Sequence, residues 1–231
     1  MKKLIPFILI LVSCKVSKNN EIVIPNNNKW TEFADSFGVL DIVQPTLQSR
    51  LNVQVSTQAV SGSCIANGFD DAEGDGVHRP GFIERLPAVL ASGSDNVLMI
   101  TGGNDWYYSV PIGIVTDTAK RTYYGALNFI AQQVAKSPQI KMVWVTMIQR
   151  NTLRRNGSAA GNMNYAAQKA YVDAMIDVAN KYHIKVINAF MNSGITYDNS
   201  NIYTSDGAHP TTAAGETLYA NFVVNSILTG Q

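Results

Sequence analysis

The stretch Asn96-Val97-Leu98-Met99-Ile100-Thr101, followed at once by Gly102-Gly103-Asn104-Asp105, indicates the class of fold. Its first part is a short, almost continuous apolar run, which is typical of a β-strand covered on both faces. Its second part consists of residue types that favour turns. Strands covered on both faces occur mainly in parallel sheets. We therefore expect a parallel sheet with a polar turn at the carboxyl end of this strand.

Similar apolar runs alternate with longer amphipathic segments along the chain. The other predicted strands cover 30–35, 51–60, 140–148 and 184–189. The predicted helices cover 82–90, 123–135 and 165–182, and a final helix is expected after Pro210. Regular alternation of strand and helix implies a parallel sheet with helices on both faces. The predicted fold is therefore an α/β fold, a three-layer α/β/α sandwich with about five parallel strands.

The first 14 residues are predicted to be an export signal peptide. Lys2 and Lys3 precede an apolar run over 4–12, which is shorter than the roughly 20 residues that a bilayer span needs. The run ends in Leu11-Val12-Ser13-Cys14, which resembles the bacterial lipobox. That resemblance implies that Cys14 becomes the acylated first residue of the mature protein. An ordinary secretory signal with a chance cysteine is the alternative interpretation.

The polar, asparagine-rich residues 15–28 are predicted to tether one domain, 29–231, to a bacterial membrane, on its periplasmic or cell-surface side. Without Lys2 and Lys3, 16 basic residues face 17 acidic ones, and no basic stripe is visible. This balance gives no support to nucleic-acid binding. Lipidation of Cys14 would leave Cys64 as the one thiol, so no disulfide is expected and the core must stabilise the domain.

Polar residues follow three predicted strands, and an acid–histidine pair follows later in the chain. Ser36, Gly62 and Asn104 each lie just past a strand end, and the carboxyl ends of parallel strands form the edge where sites usually lie. Asp206 and His209 lie in the loop before the last helix, which can reach the same edge. An acid three residues before a histidine can bind one ring nitrogen and leave the other to accept a proton from a hydroxyl.

Four sequence blocks carry a resemblance to a known family. They are Ala34-Asp35-Ser36-Phe37-Gly38, Ala59-Val60-Ser61-Gly62-Ser63, Gly102-Gly103-Asn104-Asp105 and Asp206-Gly207-Ala208-His209-Pro210. In this order they resemble the blocks of the SGNH hydrolases, the GDSL-type esterases and lipases, and that resemblance implies a flavodoxin-like sheet. Ala34 departs from the Gly-Asp-Ser of the family. Taken singly, Ser36 is also typical of a helix N-cap and Asn104 of a turn.

The resemblance implies a role for each matching position. Ser36 is expected to be the nucleophile, His209 its general base, and Asp206 the acid that orients the imidazole. The backbone N–H groups of Ser36 and Gly62, with the side-chain amide of Asn104, are expected to form the oxyanion hole. The implied reaction is a two-step hydrolysis through an acyl-Ser36 intermediate, with no metal and no organic cofactor.

The acidic segment 70–78 offers two other interpretations. Asp75-Gly76-Val77-His78 repeats the form of the later acid–histidine motif, but Arg79-Pro80-Gly81 follows it instead of a helix, so His209 is the favoured base. Counted from Asp71, the segment also resembles a calcium loop with acids at alternate positions. Its twelfth position is Phe82 rather than the glutamate that such a loop requires, so a solvated acidic loop is favoured.

Two further segments lie near the predicted edge. Trp106 and Tyr107 follow the third block and are predicted to contact substrate, because aromatic faces often bind sugar rings or acyl chains. The alternative is that one or both pack in the core. The loop 149–162, with its three arginines, is predicted to be solvated, and a lid or an anion contact is the alternative. The arginines are Arg150, Arg154 and Arg155.

The leading interpretation is a lipid-anchored serine esterase that removes acetyl or other short acyl groups from a carbohydrate. An alternative with the same chemistry is a lysophospholipase or thioesterase, although no long apolar lid segment is found in the sequence. A further alternative is a non-catalytic surface lipoprotein that binds glycans, and Ala34 is its one support in the sequence.

Overall fold

The computed structural model describes residues 29–152 and 163–230, and within them the chain forms a five-stranded sheet. All neighbouring strands are parallel, in the order β2-β1-β3-β4-β5. This is the flavodoxin-like order, so the predicted α/β class is confirmed. The strands are β1 (Lys29–Ala34), β2 (Gln54–Ala59), β3 (Asn96–Ile100), β4 (Lys141–Val145) and β5 (Lys185–Ile187).

The apolar run of β3 is buried on both faces of the sheet. Successive side chains of a strand point to opposite faces, and accordingly Val97 and Met99 belong to one core cluster while Leu98 and Ile100 belong to the other. The first cluster includes side chains from helices α3 (Phe82–Leu90), α5 (Tyr123–Ala135) and α6 (Met163–Tyr182). The second includes side chains from α2 (Gln44–Leu51) and α9 (Ala213–Thr229). The strand is therefore apolar throughout because helices cover both faces of the sheet.

The sequence predicted two of these helices with the bounds that the structure shows, α3 and α5. It did not predict α2, and it assigned Leu51 to a strand. Pro45 in the first turn fits a helix start, and Asn52 ends the helix in the left-handed conformation at φ 54°. The strand β2 consequently begins later than predicted, at Gln54.

One-turn helices begin within four residues of the carboxyl ends of three of the five strands. They are α1 (Ser36–Val39), α4 (Asn104–Tyr107) and α7 (Ala189–Asn192), and a further short helix, α8 (Ser200–Tyr203), precedes α9. The strand order reverses at β1. From β1 the chain continues to β2 on one side, and from β2 it returns past β1 to β3 on the other side. Such a reversal opens a crevice at the carboxyl ends, and α1 and α4 both border it.

Several sequence predictions lie outside the described residues. These are the signal peptide over 1–14 with Cys14, the tether over 15–28, and Arg154 and Arg155. Within the described residues, no helix combines the length and the apolar character that crossing a membrane would take.

Candidate active site

The turn after β1 holds Ser36 at the first position of α1. The carboxylate of Asp35 caps this one-turn helix, because its Oδ1 accepts a hydrogen bond of 3.1 Å from the Phe37 N–H. Its Oδ2 accepts a bond of 2.6 Å from the Gly102 N–H and so joins the β1 turn to the β3 turn. Ser36 is only 7% exposed, and its side chain lines a cavity of about 610 Å³.

The hydroxyl of Ser36 lies within hydrogen-bond distance of His209. The distance from Ser36 Oγ to His209 Nε2 is 2.8 Å, and that from His209 Nδ1 to Asp206 Oδ2 is 2.6 Å. With the proton of the imidazole on Nδ1, Nε2 is free to accept the serine proton. The Phe37 ring lies 5.7 Å from the imidazole and supports it from the side of the core. This arrangement can activate a hydroxyl and stabilise the imidazolium that forms.

The loop that carries His209 is folded around the Asp206 carboxylate. Its Oδ1 accepts hydrogen bonds from the N–H groups of Ala208 and His209, at 2.9 and 2.8 Å. Partial burial raises the pKa of Asp206, but the bonds from the His209 ring and from the two N–H groups outweigh it, and the net pKa lies below the usual value. Gly207 has a φ of +76°, and a β-carbon there would lie 2.5 Å from the Asn151 carbonyl oxygen. The loop therefore requires glycine at this position.

Gly62 and Asn104 line the same cavity as Ser36 and His209. Within the described residues, neither the Ser36 N–H nor the Gly62 N–H donates to another group. The Asn104 Nδ2 donates to the Ser63 carbonyl at 3.0 Å and to Asp35 Oδ2 at 3.3 Å. The second bond is long, and the oxyanion role of Asn104 stays a prediction.

A model of the GDSL-like lipase/acylhydrolase family matches residues 30–216 of the chain. The chain belongs to this family.

The solved structures that share the fold include the following three. A Lactobacillus plantarum protein has 19% identity and a TM-score of 0.70, with 88% of this chain and 97% of that chain covered. The lipase/acylhydrolase from Enterococcus faecalis has 17% identity and a TM-score of 0.60, covering 87% and 96%. An acetyl xylan esterase has 17% identity and a TM-score of 0.59, covering 86% and 98%. Comparison with curated proteins found no match.

Two buried acidic side chains, Asp35 and Asp105, hold the site together. Burial raises the pKa of Asp35, against the lowering effect of the N–H bonds from Gly102 and Phe37. Asp105 accepts the N–H groups of Ile65 and Ala66 at 2.8 and 3.0 Å, and burial raises its pKa to about 7. Asp105 therefore fixes the segment after Gly62 against the helix that begins at Asn104.

The side chain of Arg85, from α3, crosses to the carboxyl ends of β1 and β2. Its Nη1 donates to the carbonyls of Ala34, at 3.0 Å, and Gln58, and its Nη2 donates to Ser63 Oγ at 2.9 Å. Burial lowers the pKa of Arg85 to about 10. No role was predicted for Arg85 from the sequence, because a single arginine in an amphipathic helix is indistinguishable from an ordinary polar position.

The second acid–histidine motif of the acylhydrolase lies apart from Ser36. His78 Nδ1 bonds to Asp70 Oδ2 at 2.8 Å, whereas Asp75 bonds to Arg79. The Oδ1 of Asp71 accepts the N–H groups of Asp75 and Gly76. Among the described residues that line the catalytic cavity, the histidine is His209. Nowhere in 29–152 or 163–230 do three or more metal-ligating side chains cluster.

The prediction that Trp106 contacts substrate is wrong. Its side chain is fully buried and belongs to the core cluster under α4. The reason is geometric, because successive residues of a helix point in different directions. Of the three described aromatic residues 106–108, Tyr107 and Tyr108 line the cavity and Trp106 does not. Tyr107 therefore stays a predicted substrate contact, and Tyr108 joins it. The Tyr108 hydroxyl donates to Glu73 Oε1. Glu73 was not connected with the site in the sequence analysis.

Arg150 is also placed differently from its prediction. The sequence assigned it to a solvated loop, but the residue is 6% exposed and lines the catalytic cavity. Its Nη1 donates to the Gly102 carbonyl at 3.0 Å, and its guanidinium lies 5.2 Å from the centre of the Tyr107 ring. The one available indication was its position five residues after a buried strand, at the edge where the site lies.

Proposed function

We propose that this acylhydrolase is a serine esterase that acts through an acyl-Ser36 intermediate. The observation that carries the proposal is the continuous hydrogen-bond chain from Ser36 Oγ through His209 to Asp206, on the wall of an open cavity. The chain supplies a nucleophile, a base and an orienting acid in reach of one another.

The proposed reaction has two steps. His209 Nε2 takes the proton as Ser36 Oγ attacks the ester carbonyl, and the negative oxygen is bound by the N–H groups of Ser36 and Gly62 and the Asn104 amide. His209 then returns the proton to the leaving alcohol, and the acyl group stays on Ser36. In the second step His209 takes a proton from water, the resulting attack releases the carboxylic acid, and the proton returns to Ser36.

The proposed substrate is a carbohydrate that carries acetyl or other short acyl esters. The described residues that line the cavity are polar, aromatic or small, and they include no leucine, isoleucine, valine, methionine or phenylalanine. A long acyl chain would gain little from such walls, whereas tyrosine faces and amide groups suit a sugar. The similarity in fold to a protein named acetyl xylan esterase supports the same substrate class.

We further propose that the protein is exported and anchored by a lipid on Cys14, on the periplasmic or cell-surface side of a bacterial membrane. The support lies in the sequence, namely the basic start, the short apolar run and the lipobox-like end of 1–14. Metabolic labelling with a fatty-acid analogue is expected to mark the wild-type protein and not Cys14→Ser. Labelling of both would contradict the anchor site.

The test of the esterase is labelling by a fluorophosphonate together with hydrolysis of nitrophenyl acetate. Wild type is expected to react, and Ser36→Ala and His209→Ala should each lose at least about 10⁴-fold in kcat, since nucleophile and base act as a unit. His78→Ala is the matched control and is expected to keep its activity, because His78 pairs with Asp70 away from the cavity. A folded wild-type protein that neither labels nor hydrolyses would favour the glycan-binding alternative. A rate maximum at long acyl chains would favour a lipid substrate.

A further inference from the structure

Arg150 is a buried cation whose hydrogen-bonding capacity is largely unused among the described residues. Of its three guanidinium nitrogens, Nη1 donates to the Gly102 carbonyl at 3.0 Å. Nε is buried and finds no acceptor in the described part of the chain. A guanidinium carries five N–H donors and gains most from a planar, bidentate carboxylate. A buried charged group left with unmet donors is costly, so a function for this one is to be expected.

No carboxylate of the described residues forms an ion pair with Arg150. Asp35 and Asp206 act on it only at longer range, and burial lowers its pKa. Asp35 is already occupied by the N–H groups of Phe37 and Gly102, and Asp206 by His209. The guanidinium therefore has no direct carboxylate partner among the described residues, although Asp35 and Asp206 act on it from a distance.

Arg150 lies beside the reacting groups. The Gly102 carbonyl that it binds belongs to the residue whose N–H binds Asp35, next to Ser36. The following residue, Asn151, donates its N–H to the Gly207 carbonyl at 2.8 Å, inside the loop that carries His209. Arg150 also lines a second cavity of about 470 Å³, next to the catalytic one. Because Arg150 and Ser36 line the same cavity, a group bound to Arg150 and an ester at Ser36 can belong to one substrate.

The guanidinium is held in place although no described carboxylate forms an ion pair with it. The Tyr107 ring lies 5.2 Å from its carbon, within the range of a cation–π contact. The backbone of Arg150 is fixed by Gln168, whose side chain accepts its N–H and donates to its carbonyl, both at 2.8 Å. An arginine fixed in this way loses little conformational freedom when it binds a ligand.

We propose that Arg150 determines specificity by binding a carboxylate of the substrate, so that the preferred ester lies on an acidic sugar such as a uronic acid. This inference rests on the proposed esterase function. A carboxylate fits better than a phosphate, because a single guanidinium of the described residues faces the cavity while Glu73 and Asp206 line it too. The two carboxylates disfavour a doubly charged phosphate more strongly than a singly charged carboxylate, so the direct bond to Arg150 has less repulsion to overcome with a carboxylate.

The test compares two sugars that differ in one group, acetylated methyl glucuronoside and the corresponding acetylated glucuronamide, each acetylated singly at O2, O3 or O4. Wild type is expected to hydrolyse the acid with a kcat/KM about tenfold to a hundredfold above that of the amide. A factor of this size corresponds to the usual contribution of a hydrogen bond to a charged group. The preference should shrink at high salt. Equal rates on both sugars, with Ser36 labelled normally, would overturn the inference and leave the esterase proposal intact.

Two variants assign the preference to Arg150. In Arg150→Gln the acid-to-amide ratio is expected to fall to about one, whereas Arg150→Lys should keep part of it because the charge remains. Arg50→Gln, which removes an arginine bound to Asn225 on the outer helices, is the control for net charge and should keep the ratio. A purely structural Arg150 would lower both rates together and leave the ratio unchanged. A preference for an acetylated sugar phosphate over the glucuronoside would contradict the choice of a carboxylate.

Discussion

At the level of single residues, Ala34 shows how a departure from the family pattern is accommodated. The family has glycine where this chain has Ala34, directly before Asp35 and Ser36. The methyl group of Ala34 is fully buried. A β-carbon at residue 38 would lie 2.8 Å from the β-carbons of both Ala34 and Ala59. The missing side chain of Gly38 therefore provides the space that Ala34 fills, and the turn that presents Ser36 is kept.

Gly38→Ala is expected to destabilise the protein by about 1–3 kcal/mol and to lower kcat, because the new methyl group pushes α1 and its Ser36 away from the sheet. Urea denaturation and nitrophenyl acetate hydrolysis measure the two effects. Adding Ala34→Gly to this variant should recover part of the stability, since it removes one of the two close contacts. A variant as stable and active as wild type would show that the turn is not tightly packed.

At the level of elements, the position of His209 depends on how α9 packs against α8. Thr212 caps α9 by accepting the Gly215 N–H at 3.0 Å. A β-carbon at Gly215 would lie only 1.8 Å from the Tyr203 carbonyl oxygen, at the end of α8. This backbone contact sets the start of α9. It therefore also sets the position of His209, which lies three residues before the cap residue Thr212.

Gly215→Ala is expected to separate α8 from α9, to lower stability by about 1–3 kcal/mol, and to lower kcat up to about a hundredfold, since a shift of about 1 Å in a catalytic group has that effect. Thermal unfolding and steady-state kinetics measure both. The control is Ala214→Ser, which adds one atom at the exposed neighbouring position and should change stability by no more than about 0.5 kcal/mol. Similar losses in both variants would contradict the explanation.

At the level of the whole molecule, the pH dependence of stability is influenced by a carboxyl in the middle of the sheet. Glu32 lies on β1, between β2 and β3, and is fully buried. Neither of its oxygens has a hydrogen-bond partner within the described residues. Burial, assisted by the charges of Asp41 and Asp35, raises the pKa of Glu32 from 4.5 to about 8. The native protein therefore holds a proton there at neutral pH.

This raised pKa makes the protein less stable as pH rises. Between pH 4.5 and about 8 the native state keeps the Glu32 proton while the unfolded state has lost it, so the free energy of unfolding falls by up to roughly 1.4 kcal/mol per pH unit. The contribution is fully present below pH 4.5 and is lost by about pH 8. Glu32→Gln should remove this part of the slope, and urea denaturation across the pH range compares the two proteins. Parallel curves would contradict it.

The sequence predicted the strands, the main helices and the meeting of Ser36, His209 and Asp206 better than it predicted the surroundings of the site. Hydrophobic periodicity is a local property, so the bounds of α3 and α5 follow from a few neighbouring residues. The role of Arg150 and the burial of Trp106 depend on which side of a turn or short helix faces the sheet edge. These turns and short helices contain too few residues for hydrophobic periodicity to be detected in the sequence.

By itself, the sequence determined the α/β class, the order of its elements and the family. Hydrophobic periodicity and the order of the four sequence blocks can both be recognised without knowledge of long-range contacts. Only the tertiary structure decided that His209 rather than His78 meets Ser36, across 173 residues, at 2.8 Å. It likewise decided that Arg150 is a buried cation beside Ser36. Such contacts join residues far apart in the chain, and they form only when the packing of whole helices on the sheet brings the loop ends together.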